Sequence, residues 1–559
     1  MKPKNLLALL ALVTAVGIWV FFWTAPSPKI SHEPTVQAST PTQEPTPETD
    51  PASVAPARTD PRLAKAERVK AIKTQLRDHT QSPHARAGEA TIRFKDNEAY
   101  RAFLARAAQE GIQVLGKIDA LHSVRVSTES LDGLADDLAE HGADYANVAA
   151  NYTLGPPPTS PAAQARASRT EVPLGNNLLS FLGVTGDNRS WGRGVTIAVI
   201  DSGIQQDPTF GAGRVQYVDV GLGTGVSPDK EGGHGTAVAA LAAGASPDAQ
   251  GVAPSANLLG IRVADSAGQS DIFTVSQAIV AAVDRGAQVI NVSLGGYGSS
   301  ATLSSAIDYA SSHGAVIVAA AGNDQAAQLM WPAADPRVIS VGAVDALGQQ
   351  VLFSNSGPQL QITAPGYGVQ TAWTGGERVL MDGTSASTPI VAGSIAAVMS
   401  ANPGMSAPNA WKILQHYTSD GGPAGTDPDY GHGVVNLGWA MARNDPNRID
   451  TAISSHYYDA SSGMMDIVVQ NRSGQAVAGL NLDVAVNGAE SHYPIAWLNP
   501  GAVQVVQIPV SQAQLAAQGK IQFVTQLNNP SQLVDQVPNN NRKVSSLTAP
   551  APATPAPTP

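Results

Sequence analysis

The 559-residue chain carries 34 basic and 45 acidic residues, a net charge of −11. It has no basic stripe, which excludes a nucleic-acid-binding role. Cysteine is absent, so disulfide staples, thiolate metal sites and cysteine nucleophiles are excluded together.

At ~150 residues per domain, the length predicts three or four domains. Lys2 and Lys4 precede an apolar run from Leu6 to Trp23, the pattern of an export signal. The run is long enough to span a bilayer, and no small-x-small cleavage site follows it. Residues 1–25 are predicted to be a signal retained as a membrane anchor, lysines inside and the rest of the chain outside. Cleavage would make the protein secreted instead. Residues 26–61, with TPTQEPTPETDPASVAP, have little to bury and are predicted to be a disordered Pro/Thr-rich linker. Residues 62–87 open with RLAKAERVKAIKTQLRD, a helical pattern with a basic face, predicted to be a solvated helix.

Residues 88–154 read as a small α+β unit. ATIRFK alternates as a strand, EAYRAFLARAAQEG is helical to Gly111, IQVLGKIDALHSVRVS is a strand pair, SLDGLADDLAEHG is a helix stopped at Gly142, and ADYANVAANYTL is a last strand. The order β-α-β-β-α-β is ferredoxin-like. Residues 155–171, with GPPPTSPAAQARASRT, form a loose linker that a protease can reach.

From 172 to 445 the texture changes. VTIAVI, VINVSL, VIVAAA and VISVGAV are near-continuous apolar runs, as strands buried on both faces require. Between them TAVAALAAG, VSQAIVAAVDRG and SSAIDYASSHG read as helices ending in glycine. This is an α/β domain with a mostly parallel sheet. In residues 446–546, MDIVVQNRS, LNLDVAVNG, AVQVVQIPV and KIQFVTQLNN are short strands between turn residues, the pattern of an antiparallel β-sandwich. Residues 547–559 are a disordered tail.

In an open parallel sheet, reactive groups gather at the carboxyl ends of the strands. Asp201 follows VTIAVI, SLGG (293–296) follows VINV, and Asn323 follows VIVAA. His234 opens the helix in GGHGTAVAALAAG. Singly, each has an ordinary reading: a turn or cap aspartate, a structural histidine, a turn asparagine. Ser385 and Ser387, in DGTSASTPIVAG, have the ordinary reading of helix-capping serines. The order Asp201, His234, Ser385 is that of the subtilisin triad.

Together, VIDSGI, GGHGTAVA, VAPSANLLGIRV, VINVSLGG, AAAGN and DGTSASTPIVAG resemble the motif set of the subtilase family of serine peptidases. YGHGVVNLGWAM resembles its closing segment, and the likeness covers about residues 172–443. The resemblance implies a subtilisin-like, doubly wound, mostly parallel sheet. It implies Ser385 as nucleophile, His234 as its base, Asp201 as the group orienting the imidazole, and Asn323 as an oxyanion donor. Substrate backbone would lie along Ser293, Leu294 and Gly295, with Gly268 on the opposite edge. Ala321, Gly322 and Met330 would surround the first specificity pocket, where a bulky Met suits modest apolar side chains. Pro389 would fall in the first helical turn, where a missing N–H matters little, and Ser387 would point elsewhere.

Residues 88–154 resemble the family's propeptide, an inhibitor and folding helper that would lead NYTLGPPP into the cleft. Residues 446–546 resemble CARDB-type or other Ig-like adhesion modules, which implies binding to a cell-surface protein or polysaccharide. No metal ligand is assigned. Thr209 stands where many members carry an acidic calcium ligand, and ASPDAQGVAP is short for the usual calcium loop. The strong calcium site is therefore not evident, and a different calcium site stays open. The expected protein is an exported serine endopeptidase acting on proteins or peptides and made as an autoprocessed zymogen. The alternatives are an adhesion scaffold with a vestigial site, and peptide ligation by acyl transfer on the same residues.

Overall fold

The computed structural model describes residues 65–80, 82, 84–157, 171–220, 233–265 and 268–549. The expected anchor, linker and tail, and most of the processing linker, lie outside the described residues.

The first unit comprises α1 (Lys65–Thr80), β1 (Ala85–Phe94), α2 (Asn97–Arg106), β2 (Val114–Ile118), β3 (Ser123–Ser127), α3 (Asp132–His141) and β4 (Tyr145–Leu154). Strand β1 lies between β3 and β4, antiparallel to both. Asp96 caps α2 by accepting from the Ala99 amide. Gly111, at φ +71°, turns the chain after it. Gly142 behaves differently from expectation: it stays right-handed and opens a 3-10 turn into β4. Helix α1 is not simply solvated. Ile72 and Leu76 are buried in one cluster with Phe94, Phe103, Leu134 and Tyr145, so its apolar stripe outweighs the basic face that the sequence displays most openly.

The second unit is built on β5 (Thr196–Asp201), β6 (Val215–Asp219), α4 (His234–Ala243), β7 (Asn257–Arg262), β8 (Ser270–Asp271), α5 (Ile272–Asp284), β9 (Val289–Val292), α6 (Ala301–Ser312), β10 (Val316–Ala320), β11 (Ile339–Val344), β12 (Ile362–Pro365), β13 (Val369–Ala372), β14 (Arg378–Met381), α7 (Thr384–Ala401), β15 (Thr418–Ser419) and β16 (Val434–Val435). The large sheet runs β15-β16-β12-β11-β10-β9-β5-β7-β6. All its pairings are parallel except β15 with β16. Both faces are covered. Ile197 and Val199 pack with α4 and α7, and Ala198 and Ile200 pack with α5 and α6 on the other side. That two-sided burial is why the strands read as unbroken apolar runs. Helix α7 is the one described helix long and apolar enough to cross a membrane, and it lies in the core.

The third unit holds β17 (Thr451–Asp459), β18 (Met464–Asn471), β19 (Val477–Val486), β20 (Ala489–Leu498), β21 (Val503–Pro509), β22 (Lys520–Asn528) and β23 (Arg542–Thr548). They form two sheets, β17-β18-β21 and β20-β19-β22-β23. Ile453, Met465, Ile467 and Val469 of the first meet Leu480, Leu482, Val484, Phe523 and Leu527 of the second in one cluster.

Candidate active site

Asp201 is the last residue of β5 and is fully buried. Its Oδ1 accepts from the Ser202 amide at 2.7 Å and lies 2.8 Å from His234 Nδ1. His234 begins α4, and the glycines around it are dictated by close packing. A Cβ on Gly233, which sits at φ +58°, would meet the Trp373 indole at 2.2 Å. A Cβ on Gly235 would meet the Gly203 carbonyl at 2.1 Å. Burial works against the imidazolium, but the charge and hydrogen bond of Asp201 outweigh it and hold His234 above the usual histidine value. A carboxylate on Nδ1 leaves Nε2 as the free, basic nitrogen of the neutral ring.

Ser385 is the second residue of α7 and is buried. Its hydroxyl donates to the Ser293 carbonyl at 3.2 Å. The return bond also exists, from Ser293 Oγ to the Ser385 carbonyl at 3.2 Å. The origin of that second bond corrects an expectation. Pro389 is not in the first turn but inside α7. Having no N–H, it cannot serve the carbonyl four residues back, which is that of Ser385. Ser293 supplies the missing donor, and Asn291 Nδ2 in turn donates to Ser293 Oγ at 3.0 Å. Ser387 is buried in the same helix, and its hydroxyl meets the Ala364 and Pro365 carbonyls at 3.0 and 3.1 Å.

Asn323 follows β10 and is buried. Its Oδ1 accepts from both the Thr384 amide and the Thr384 hydroxyl at 2.9 Å. These two donors fix which end of the amide faces the cleft. Nδ2 points the other way and donates to the Pro157 carbonyl at 2.7 Å. Thr384 is thus a supporting residue that the sequence signals only by standing next to Ser385. Asn355 is another. Its Oδ1 accepts from Asp324 and Ala326 and its Nδ2 donates to Gln328 and Tyr297, which pins the loop after Asn323.

The expected substrate edge is occupied by the chain itself. Gly155 exchanges both backbone bonds with Gly295, at 3.1 and 2.8 Å. On the other side Leu154 and Thr153 pair with Ser270 and Asp271, and Gly268 approaches the Pro156 ring. Leu294 is fully buried. Met330 is buried between Ala321, whose carbonyl accepts from its amide, and the glycines 295 and 322. A Cβ on Gly295 would stand 3.0 Å from the Met330 sulfur, and one on Gly322 would stand 3.0 Å from its Cγ. Met330 therefore fills the space those two glycines leave beside Asn323. Thr209 Oγ1 donates to the Ala249 carbonyl and accepts from the Ala245 and Ser246 amides. The neighbouring Asp207 is paired with Arg378 at 3.0 Å.

The arrangement combines a carboxylate–imidazole pair, a buried hydroxyl at a helix start, and an amide donor aimed at a peptide carbonyl. Those are the parts that acyl transfer at a peptide bond requires.

Comparison with known proteins agrees. A family model described as the subtilase family matches residues 192–433. The alkaline protease of Shouchella clausii is 32% identical over 367 residues, covering 62% of this chain and 89% of that one. Subtilisin Savinase of Lederbergia lenta is 36% identical over 273 residues, 48% of this chain and 95% of that one. Among solved structures, fervidolysin from Fervidobacterium pennivorans, described as a keratinolytic enzyme related to subtilisin, superposes with a TM-score of 0.55 at 20% identity. It covers 84% of this chain and 77% of its own. A leader-peptide-processing serine protease from Staphylococcus aureus gives a TM-score of 0.54 at 21% identity, over 64% and 98% of the two chains.

Proposed function

Because the chain belongs to the subtilase family and is a serine endopeptidase, we propose that Asp201, His234 and Ser385 form its triad and Asn323 its oxyanion donor. Ser385 Oγ attacks the carbonyl carbon of the scissile bond, and its proton passes to His234 Nε2. Asp201 holds the tautomer and stabilises the imidazolium without itself taking the proton. The carbonyl oxygen becomes negative while Asn323 Nδ2 and the N-terminal end of α7 face it. His234 returns the proton to the leaving nitrogen, the C–N bond breaks, and water releases the acyl group by the reverse route.

The observation that carries this reading is the bond from Asn323 Nδ2 to the Pro157 carbonyl. It supports the reading in which a substrate carbonyl takes that position and becomes the oxyanion. Residues 88–154 act as an inhibitory propeptide, the chain is made as a zymogen, and processing releases the unit by self-cleavage within 155–171. Met330 narrows the first pocket to modest apolar side chains. The turn at Asp207–Thr209 is poorly suited to calcium, because Arg378 already takes the Asp207 carboxylate and Thr209 Oγ1 already makes three bonds. The peptidase is exported, held at an outer membrane face by residues 1–25 or secreted after their removal. The third unit engages a cell-surface protein or polysaccharide.

Ser385→Ala is expected to abolish both propeptide release and casein hydrolysis. Retained hydrolysis would sink the assignment. Fluorophosphonate labelling of Ser385 in the wild type separates a working site from a vestigial one.

A further inference from the structure

Residues 153–157 lie between two backbone edges, 268–271 and 293–296, in the manner of a substrate strand. The Gly155–Gly295 pair exchanges both its hydrogen bonds. In an antiparallel ladder the next such pair comes two residues along, opposing Pro157 to Ser293. An ordinary residue at 157 would donate its N–H to the Ser293 carbonyl. Proline has none to give. That carbonyl is instead satisfied by the Ser385 hydroxyl at 3.2 Å, the same hydroxyl that must give its proton to His234 in order to react. Among the described residues, the only side-chain partner of His234 is Asp201.

A second feature of the sequence acts in the same direction. The residue after Pro157 is Pro158, so the bond whose carbonyl meets Asn323 joins two prolines. Its nitrogen carries a ring carbon in place of hydrogen. To break that bond, His234 would have to protonate a more crowded leaving atom. The binding half of catalysis is meanwhile satisfied. Pro157 is buried, its carbonyl accepts at 2.7 Å, and proline's fixed φ leaves its backbone little freedom to lose on binding.

Resting on the peptidase reading above, we infer that Leu154–Pro157 is a captive substrate mimic that the enzyme binds but does not cut. Pro157 leaves the nucleophile turned onto Ser293, and the Pro157–Pro158 bond resists hydrolysis. Release of the first unit then requires a cut at a different bond, between Pro158 and Glu171, made after the segment leaves its register or by a second peptidase molecule.

The test compares the full-length wild-type chain with Pro157→Ala and with the Pro157→Ala/Pro158→Ala double variant, Ser385→Ala serving as the inert control. Conversion is followed over time and the product N-termini are sequenced. The double variant is expected to convert at bond 157–158 at least tenfold faster than wild type, whose product begins beyond Pro158. A wild-type product beginning at Pro158, or a double variant converting no faster, overturns the inference. In a second measurement the mature enzyme is given the peptides YTLGPPPT and YTLGPAAT. The first is expected to inhibit and be recovered intact, and the second to be consumed. Equal consumption of both overturns the inference while leaving the peptidase reading standing. If trypsin-activated wild type turns over no peptide and takes up no fluorophosphonate, the peptidase reading fails and the inference falls with it.

Discussion

In the proposed triad, Asp201 and His234 together would set the working pH. The pair raises the imidazole above its ordinary value of about 6.5. Activity through a neutral base therefore rises with pH across that raised value. Asp201→Asn removes the charge that lifts it, so the acid limb of the kcat/KM profile is expected to move to lower pH while kcat falls by about 10⁴. A profile unchanged in position would mean that another group titrates there. The stability linkage has the opposite sense. The folded state binds the proton more tightly, so the pair's stabilisation is complete below the unfolded histidine pKa and is lost as pH rises through the folded one. The places of Asp201, His234, Asn323 and Ser385, after strands or at helix starts, are legible in the sequence because apolar runs and small residues flank each. Thr384 and Asn355 are not, because their work is to hold other polar groups and no spacing announces it. The effect of Pro389 is not legible in the sequence, since it depends on where α7 begins.

Helix against helix, tolerances in the second unit are narrow. Gly393 of α7 faces α4, where a Cβ would meet the Ala242 carbonyl at 2.7 Å and Val252 Cβ at 2.9 Å. Gly393→Ala is therefore expected to destabilise by about 1–3 kcal/mol through overpacking, despite alanine's better helix propensity. Urea unfolding of the Ser385→Ala background, free of self-digestion, measures it. Elements of this unit were readable because their patterns are strong: apolar strands buried on two faces, and helices running up to glycines. The third unit was read only in part. The strands β18, β19, β21 and β22 carry a pattern in the sequence, whereas β17, β20 and β23 do not. In β17 an irregularity between Ile453 and Ser455 interrupts the alternation. Strand β20 lies at a sheet edge, with Ile495 and Leu498 its only buried residues. Edge strands have little to bury, so they carry little pattern.

At the scale of the three units, the first and second share an apolar cluster, with Ile118, Leu121, Tyr152 and Leu154 among Ile200, Ile272 and Leu294, and polar contacts join all three. Asp271 is fully buried, caps α5 through the Thr274 amide, and receives Arg86 at 2.5 Å and Arg125 at 3.3 Å from the first unit. Asn151 adds a bond from the Phe273 amide. Asp271→Ala is expected to cost about 1 kcal/mol for the cap and to loosen the first unit, read as faster appearance of peptidase activity and a lower Tm of the precursor. On the opposite side Gln470 donates to the Thr418 carbonyl and accepts from the Asp420 amide. Lys543 donates to the Leu347 and Ser454 carbonyls, and burial foremost, with Arg472 beside it, lowers its pKa to about 8. The contacts between units are not visible in the sequence, because each joins residues far apart along the chain whose types are ordinary at a surface. The exchange between Ser385 and Ser293 has a wider meaning at this scale. Ser293 Oγ holds the Ser385 carbonyl, so the segment against which residues 153–157 align and the start of α7 are fastened at a common point. The position of a guest backbone relative to the reacting oxygen is thereby surveyed from one benchmark, and small shifts of the sheet carry both together.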